Sequence, residues 1–436
     1  MDVPTSAVFL RHVARATHDQ QQCFHSGARS NGDARSPLKE AAVSVGKVVA
    51  IVGEPEVARL ARIVLLSAAM SIELLWQLPT RGDGRYADAS VRRRGERLPS
   101  QPSAPGKGIS DPRGERFNYF DHLHQIARAA ELSGFDGLHI QHDDQGDEAW
   151  IVAAYLARGT RQLRLVTEFE ASWGSAVYAA KNAATFQRYS GGRFAWHLQS
   201  GEAADERRRH ADPVGDGDVL PRIDEFLQVA RGVLTQAPFS FKGRFFEVLD
   251  GGFRDGLDHQ PVPRVYLSGT SLAALELSAQ HADVHVLAPA SIAETIQTVD
   301  ILKGLAAKHG RQLRVGLRLD LLARETDDEA LRDARRFRRQ IGDPSVPTTL
   351  ERPGLWRGLS TSRTGAAAVL VGGYRHVVDG LLEYREAGIS TFVLGAIPHL
   401  EEAFRVGAHV LPGLRENGAD LYVGAASSAI ALEGRS

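Results

Sequence analysis

Val265-Tyr-Leu-Ser-Gly-Thr-Ser271 places three hydroxyls and a glycine where an apolar run gives way to a helix-forming segment. Backbone N–H groups at such a turn, with the hydroxyls of Ser268, Thr270 and Ser271 and the small Gly269 beside them, can face an anion such as a phosphate. The same residues also suit an ordinary Ser/Thr helix cap, and on the residues alone both readings stand. A second constellation, His139-Ile-Gln-His142-Asp-Asp144, carries metal-ligand residue types. On a strand, His139 and His142 would point to opposite faces, so a shared metal is not expected and a polar loop is the better reading. The chain has no G-x-S-x-G elbow, no P-loop and no G-x-G-x-x-G after a strand. A serine hydrolase, a nucleoside triphosphatase and a Rossmann dehydrogenase are thereby disfavoured.

Stretches suited to strands alternate with stretches suited to helices from Ser71 onward, which argues for repeated βα units around a parallel sheet. Strands are predicted over 72–78, 137–141, 163–169, 193–198, 264–268, 283–288, 313–322 and 390–395. Eight is the number of a (β/α)8 TIM-type barrel. Helices are predicted between them, several closed by glycine, as at Gly134 and Gly388. Phe239–Phe253 reads as a small added hairpin with Lys242-Gly243 at its turn, and 79–117 and 342–365 read as long insertion loops. The junction Gly395–Gly407, GAIPHLEEAFRVG, ends a strand and opens a helix in which Leu400, Phe404 and Val406 are candidates for the buried side. Strand-to-helix junctions of this kind are where barrels place their ligands.

Composition narrows the class. The 436 residues carry 52 Lys+Arg against 53 Asp+Glu, a formal net charge of −1, so there is no basic field for a nucleic acid. The triplets Arg92–Arg94 and Arg207–Arg209 read as solvated surface. The single cysteine, Cys23, excludes an internal disulfide framework. No apolar run reaches membrane-spanning length, and a cytoplasmic protein without a membrane partner is expected. Residues 1–69 lack a steady apolar period, with a loose helix conceivable over 43–70, and are expected to be a disordered extension preceding a natural start at Met70. The barrel is expected over 70–416 and a C-terminal tail over 417–436.

The motifs PTRGDGRY (79–86), DEAWIVAA (147–154), SGGRFAWHL (190–198), PRVYLSGTSLAALELSAQHADV (263–284), RLDLLARET (318–326) and PHLEEAFRVG (398–407) occur in order through the predicted βα repeat. Together they resemble the alkanesulfonate monooxygenase branch of the bacterial-luciferase-like flavin monooxygenases. The resemblance implies a homo-oligomeric TIM-type barrel that binds reduced FMN (FMNH2) supplied by a separate NAD(P)H-dependent flavin reductase. With O2 as co-substrate, such an enzyme oxidises the carbon beside a sulfonate and releases sulfite and an aldehyde. It further implies that Ser268, Gly269, Thr270 and Ser271 hold the flavin phosphate, that Arg318 lines the active site, and that Arg363 belongs to a loop closing over it. Arginine suits a sulfonate because its planar fork keeps its charge and directs its donors. On this basis Arg318→Ala is expected to lose substrate affinity with the fold intact.

Several positions depart from the family pattern. A cysteine is replaced by Gly146, an arginine by Glu170, an asparagine by His197 and a histidine by Asp320; Asp216, Leu220, Ala288 and Ile397 stand where the family has His, Tyr, Trp and Tyr. Two functions from different classes remain open. One is a flavin-dependent oxidoreductase with a changed substrate, in which His197, which titrates near neutral pH, supplies a polar or acid–base contact. A strand histidine satisfied by the backbone is the plainer alternative for His197. The other function is a flavin-poor barrel acting as a binding or subunit-like protein, since added carboxylates repel phosphate and sulfonate.

Overall fold

Glu73, Leu75 and Gln77 alternate with Leu74, Trp76 and Leu78 along β1 (Glu73–Leu78), and all six are buried. A strand with no exposed face is covered on both sides, as in a parallel sheet wrapped by helices. The computed structural model describes residues 72–80, 119–143, 146–199, 204–341, 354–357, 359 and 368–415. The expected extension and tail, Arg92–Arg94, Arg363 and most of the two long loops lie outside them.

After β1 the chain runs through α1 (Tyr119–Leu132), β2 (Gly137–Ile140), α2 (Ala149–Gly159), β3 (Arg164–Glu170), α3 (Ala176–Ser190), β4 (Phe194–Gln199), α4 (Ala204–Arg209) and α5 (Val219–Thr235). The hairpin β5 (Phe239–Lys242) and β6 (Glu247–Gly251) follows, as the sequence predicts. Then come β7 (Arg264–Ser268), α6 (Leu272–His281), β8 (Val284–Leu287), α7 (Ile292–Lys308), β9 (Arg314–Arg324) and α8 (Asp327–Ile341). The remainder is β10 (Leu355–Arg357), β11 (Ala368–Gly373), α9 (Tyr374–Glu386), β12 (Thr391–Gly395) and α10 (His399–His409).

Parallel pairing in the order β1-β2-β3-β4-β7-β8-β9-β12 returns to β1 and closes the barrel. These are the eight strands expected from the sequence, so the chain is a (β/α)8 TIM-type barrel. Helix ends follow local chemistry: Ser291 and Glu294 form a capping box on α7, and Gly134 and Gly388 take positive φ where α1 and α9 stop.

Three features were not foreseen. β9 is eleven residues long; its first part pairs with β8 and β12, and its last part, from Asp320, pairs in parallel with β11, to which β10 adds antiparallel. β11 reads AVLVGG, an apolar run that ends in two glycines and lies directly after an insertion loop. Arg207, expected on a solvated surface, is buried at the end of α4 and bonded to Asp216. In α10, Val406 is buried as expected and Leu400 packs against the core, but Phe404 is 47% exposed. Glu402 is instead the buried side chain beside it, accepting from Arg324 at 3.2 Å.

The lumen is filled in three layers. At the N-terminal end Glu73 accepts from the Tyr266 hydroxyl (2.9 Å) and Thr391 (3.2 Å), with Arg164 and Arg264 also approaching it. Above it Leu75, Val166, Ala195, Val284, Val286 and Val393 pack around the Tyr266 ring. The third layer, one inward-facing position further along β1, β2, β3, β4 and β9, is polar.

Candidate functional site

The polar layer lies at the C-terminal end of the barrel strands. Strand alternation builds it: the lumen residues Leu75, Gly137, Val166, Ala195 and Gly316 are each followed two positions later by Gln77, His139, Glu168, His197 and Arg318. Asp320 comes two residues after Arg318, and Gly395 two after Val393. Register places Glu168 directly beside His197 and Asp320 beside Gly395.

Two linked networks result. In the first, Glu168 Oε1 accepts from Arg318 Nη1 at 2.9 Å and lies 3.3 Å from His139 Nε2 and 3.6 Å from His197 Nδ1. The two imidazole nitrogens are themselves 2.8 Å apart, and the backbone N–H of His142 donates to Glu168 Oε2 at 3.0 Å. In the second, Gln77 Nε2 donates to Asp320 Oδ1 at 2.8 Å, while Gln77 Oε1 accepts from Gln141 Nε2 and, at 3.4 Å, from Arg318 Nε. Arg318 joins the two.

Burial sets the electrostatics. It would raise the Glu168 carboxyl, but Arg318, the two histidines and the His142 amide outweigh it and hold that group at about 2. Burial is also the main reason His197 falls to about 4, against the opposing pull of Glu168, and it takes His139 well below the usual imidazole range. Near neutral pH the layer therefore contains an ionised carboxylate, a guanidinium and two neutral imidazoles. His139 Nδ1 and His197 Nε2 are buried with no hydrogen-bond partner among the described residues. Such nitrogens are positions where a bound molecule can supply the missing bond.

The expected site residues fall in two groups. Arg318 and His197 are brought into the polar layer together. Ser268 ends β7, Gly269 has φ +132°, and Ser271 caps α6 by accepting from Ala274 N at 3.2 Å, so the turn carries both the cap and the helix-opening amides. Arg363 lies outside the described residues. The expectation that Arg318→Ala leaves the fold intact needs correction: its side chain is 12% exposed and pairs with a Glu168 only 1% exposed, so removing it strands a buried charge.

Sequence reasoning missed Gln77, His139 and Glu168 as a set. A shared site of His139 and His142 was not expected and a polar loop was preferred there; His139 instead lies buried on β2, and its side-chain neighbour is His197, 58 residues on. The readable signal was a polar residue at the same step of successive strands. Glu170, which stands where the family has arginine, lines a small recess with Gln199, Arg207 and Arg222. Those arginines are held by Asp212 and Asp216, with Arg222 bidentate on Asp212 at 2.7 and 2.8 Å. The added carboxylate thus sits among cations.

Comparison with known proteins agrees with this architecture. A family model described as luciferase-like monooxygenase matches residues 93–391. Among solved structures, an EDTA monooxygenase from Chelativorans sp. BNC1 superposes with a TM-score of 0.61 at 16% identity, covering 80% of this chain and 94% of that one. A riboflavin lyase with modified FMN and substrate riboflavin gives 0.60 at 18% identity, covering 80% and 92%. A coenzyme F420 dependent tetrahydromethanopterin reductase from Methanopyrus kandleri gives 0.56 at 14%, covering 79% and 99%. At these identities the structures speak for the fold alone, while the family model spans more than half of the chain. The chain belongs to the luciferase-like monooxygenase family.

Proposed function

We propose that the protein is a flavin-dependent monooxygenase that oxygenates a small organic substrate at the C-terminal mouth of the barrel. The observation that carries this reading is the polar layer itself, where Arg318, Glu168, His139 and His197 converge at the end of the barrel that binds ligands in this fold. Among the neighbours in fold, one is described with modified FMN and another depends on coenzyme F420, which supports a flavin-type cofactor.

The β7–α6 turn fits the phosphate of FMN by its donor set: Ser268, Gly269, Thr270 and Ser271 would hold it at a helix N-terminus. Bound in reduced form, FMN would supply the electrons that activate oxygen. The chain's own residues do the rest. Arg318 holds an anionic group of the substrate, with its charge moderated by Glu168. His197 offers an unpartnered Nε2 for a hydrogen bond or a proton in a poorly solvated layer. Gln77 bridges Arg318 and Asp320, accepting from one and donating to the other.

By resemblance the substrate is an alkanesulfonate, converted to an aldehyde and sulfite, with reduced FMN delivered by an NAD(P)H-dependent reductase and the enzyme acting as a homo-oligomer. Glu168 and Asp320 in the same layer favour a substrate with a single anionic group and an otherwise neutral body. Anaerobic titration of the protein with chemically reduced FMN, followed by flavin fluorescence, tests the cofactor. Saturable quenching is expected; a linear response to the end of the titration would overturn the enzyme reading in favour of a binding or subunit-like barrel. Sulfite release from a panel of alkanesulfonates of differing chain length then tests the substrate.

A further inference from the structure

We propose that His139, Glu168 and His197 form a binding site for a divalent first-row transition metal ion inside the barrel mouth. His139 Nε2, His197 Nδ1 and Glu168 Oε1 face one another at 2.8, 3.3 and 3.6 Å. A triangle with these sides has a circumscribed radius of about 1.9 Å, so an ion about 2.1 Å from all three atoms sits only about 0.9 Å off their plane. Ligands at that bond length are roughly 3.0 Å apart at right angles and 3.4 Å apart at tetrahedral angles, and the observed separations bracket both values. No strand has to move for the three atoms to share an ion.

The donor set agrees with the geometry. Two imidazoles and one carboxylate are ligands that zinc and non-haem iron both accept, and three protein ligands leave positions open for water or substrate. The ligands come from rigid, adjacent strands, with His139 and His197 flanking Glu168 across β2, β3 and β4. Glu168 is oriented from outside the cluster by the His142 amide on Oε2 and by Arg318 on Oε1. All three side chains are at most 2% exposed, and they constitute a candidate metal cluster among the described residues. The lone pairs of the two facing ring nitrogens and of the carboxylate oxygen can all be directed at one point between them. The outer nitrogen of each ring, His139 Nδ1 and His197 Nε2, has no hydrogen-bond partner among the described residues.

The test needs no flavin and so stands apart from the monooxygenase reading. The full chain, stripped with a chelator and dialysed, is titrated with Co(II) while visible absorption is recorded, and Zn(II) is then added as competitor. One equivalent of Co(II) developing ligand-field bands that Zn(II) abolishes is the expected result. His197→Asn and Glu168→Gln, checked for native circular dichroism, should each weaken Co(II) binding at least tenfold. Co(II) and Zn(II) binding unaltered in both folded variants would overturn the proposal by placing the metal on other residues. Failure of the folded wild-type chain to bind either ion in a saturable way would equally overturn it. If a variant fails to fold, His139→Gln replaces it in the same comparison.

Discussion

Gly395 is the lumen residue at the end of β12, and a β-carbon there would lie 2.6 Å from both Asp320 Oδ1 and Gln77 Nε2. Its backbone is an ordinary strand conformation, so Gly395→Ala carries no φ/ψ penalty and gains about 0.4–1 kcal/mol from the unfolded chain. The clash works the other way. The two atoms belong to side-chain ends that could normally swing aside, but Gln77 and Asp320 are 1% and 3% exposed and bonded to each other at 2.8 Å. Making room separates that pair, at about 1–3 kcal/mol for a buried hydrogen bond, and strains packing by about 1–3 kcal/mol. The net expectation is a loss of roughly 3 kcal/mol, several degrees in Tm for a chain of this size. The measurement is thermal and urea unfolding of Gly395→Ala in two backgrounds, wild type and one carrying Gln77→Ala with Asp320→Ala. In the second background the methyl has space, and the substitution should be neutral to slightly stabilising. An equal loss in both backgrounds would show that the polar pair is not the source. No loss in the wild type would show that the mouth of the barrel is looser than its hydrogen bonds imply.

Three other outcomes follow from the same contacts. Glu73→Ala should cost roughly 2 kcal/mol in urea unfolding, because the Tyr266 and Thr391 hydroxyls both lose their acceptor, while the partly exposed arginines nearby contribute little. Arg318→Ala should destabilise by about 3 kcal/mol by stranding Glu168, and adding Glu168→Gln should recover most of it; a stable single variant would contradict the pairing. The bidentate Arg222 bond is the main cause that draws Asp212 below its ordinary range, so that stability is present above about pH 4 and is lost as pH falls through the depressed value. Asp212→Asn should flatten this part of the acid limb of a pH–Tm profile, and an unchanged limb would count against it.

The barrel was readable because its physics is local. Most of the barrel strands are short, mainly apolar runs, and Gly134 and Gly388 stop their helices where the sequence marks a stop. The extension of β9 was not readable, since pairing of Asp320–Arg324 with β11 depends on a partner some fifty residues on. The site was half legible. Arg318 and His197 could be singled out one at a time, whereas Glu168, unremarkable in RLVTEFE, acquires its meaning from neighbours on β2, β4 and β9. Alternation excluded a His139–His142 pair, but only closure of the sheet brings His139 against His197. Burial misled at Arg207, where a run of three arginines suggested a solvated face and Asp216 in fact holds the first of them inside.

The hydroxyl and carboxylate cluster around Glu73, topped by the shell of Leu75, Val166, Ala195, Val284, Val286 and Val393, makes the barrel a vessel with a sealed base. An apolar shell one side chain thick conducts neither ions nor protons. The base therefore offers no polar path along the lumen to His139, Glu168 and His197, and approach falls to the C-terminal side of the barrel. A mutation at the base that leaves the apolar shell intact should change how firmly the vessel holds together without changing how quickly it fills.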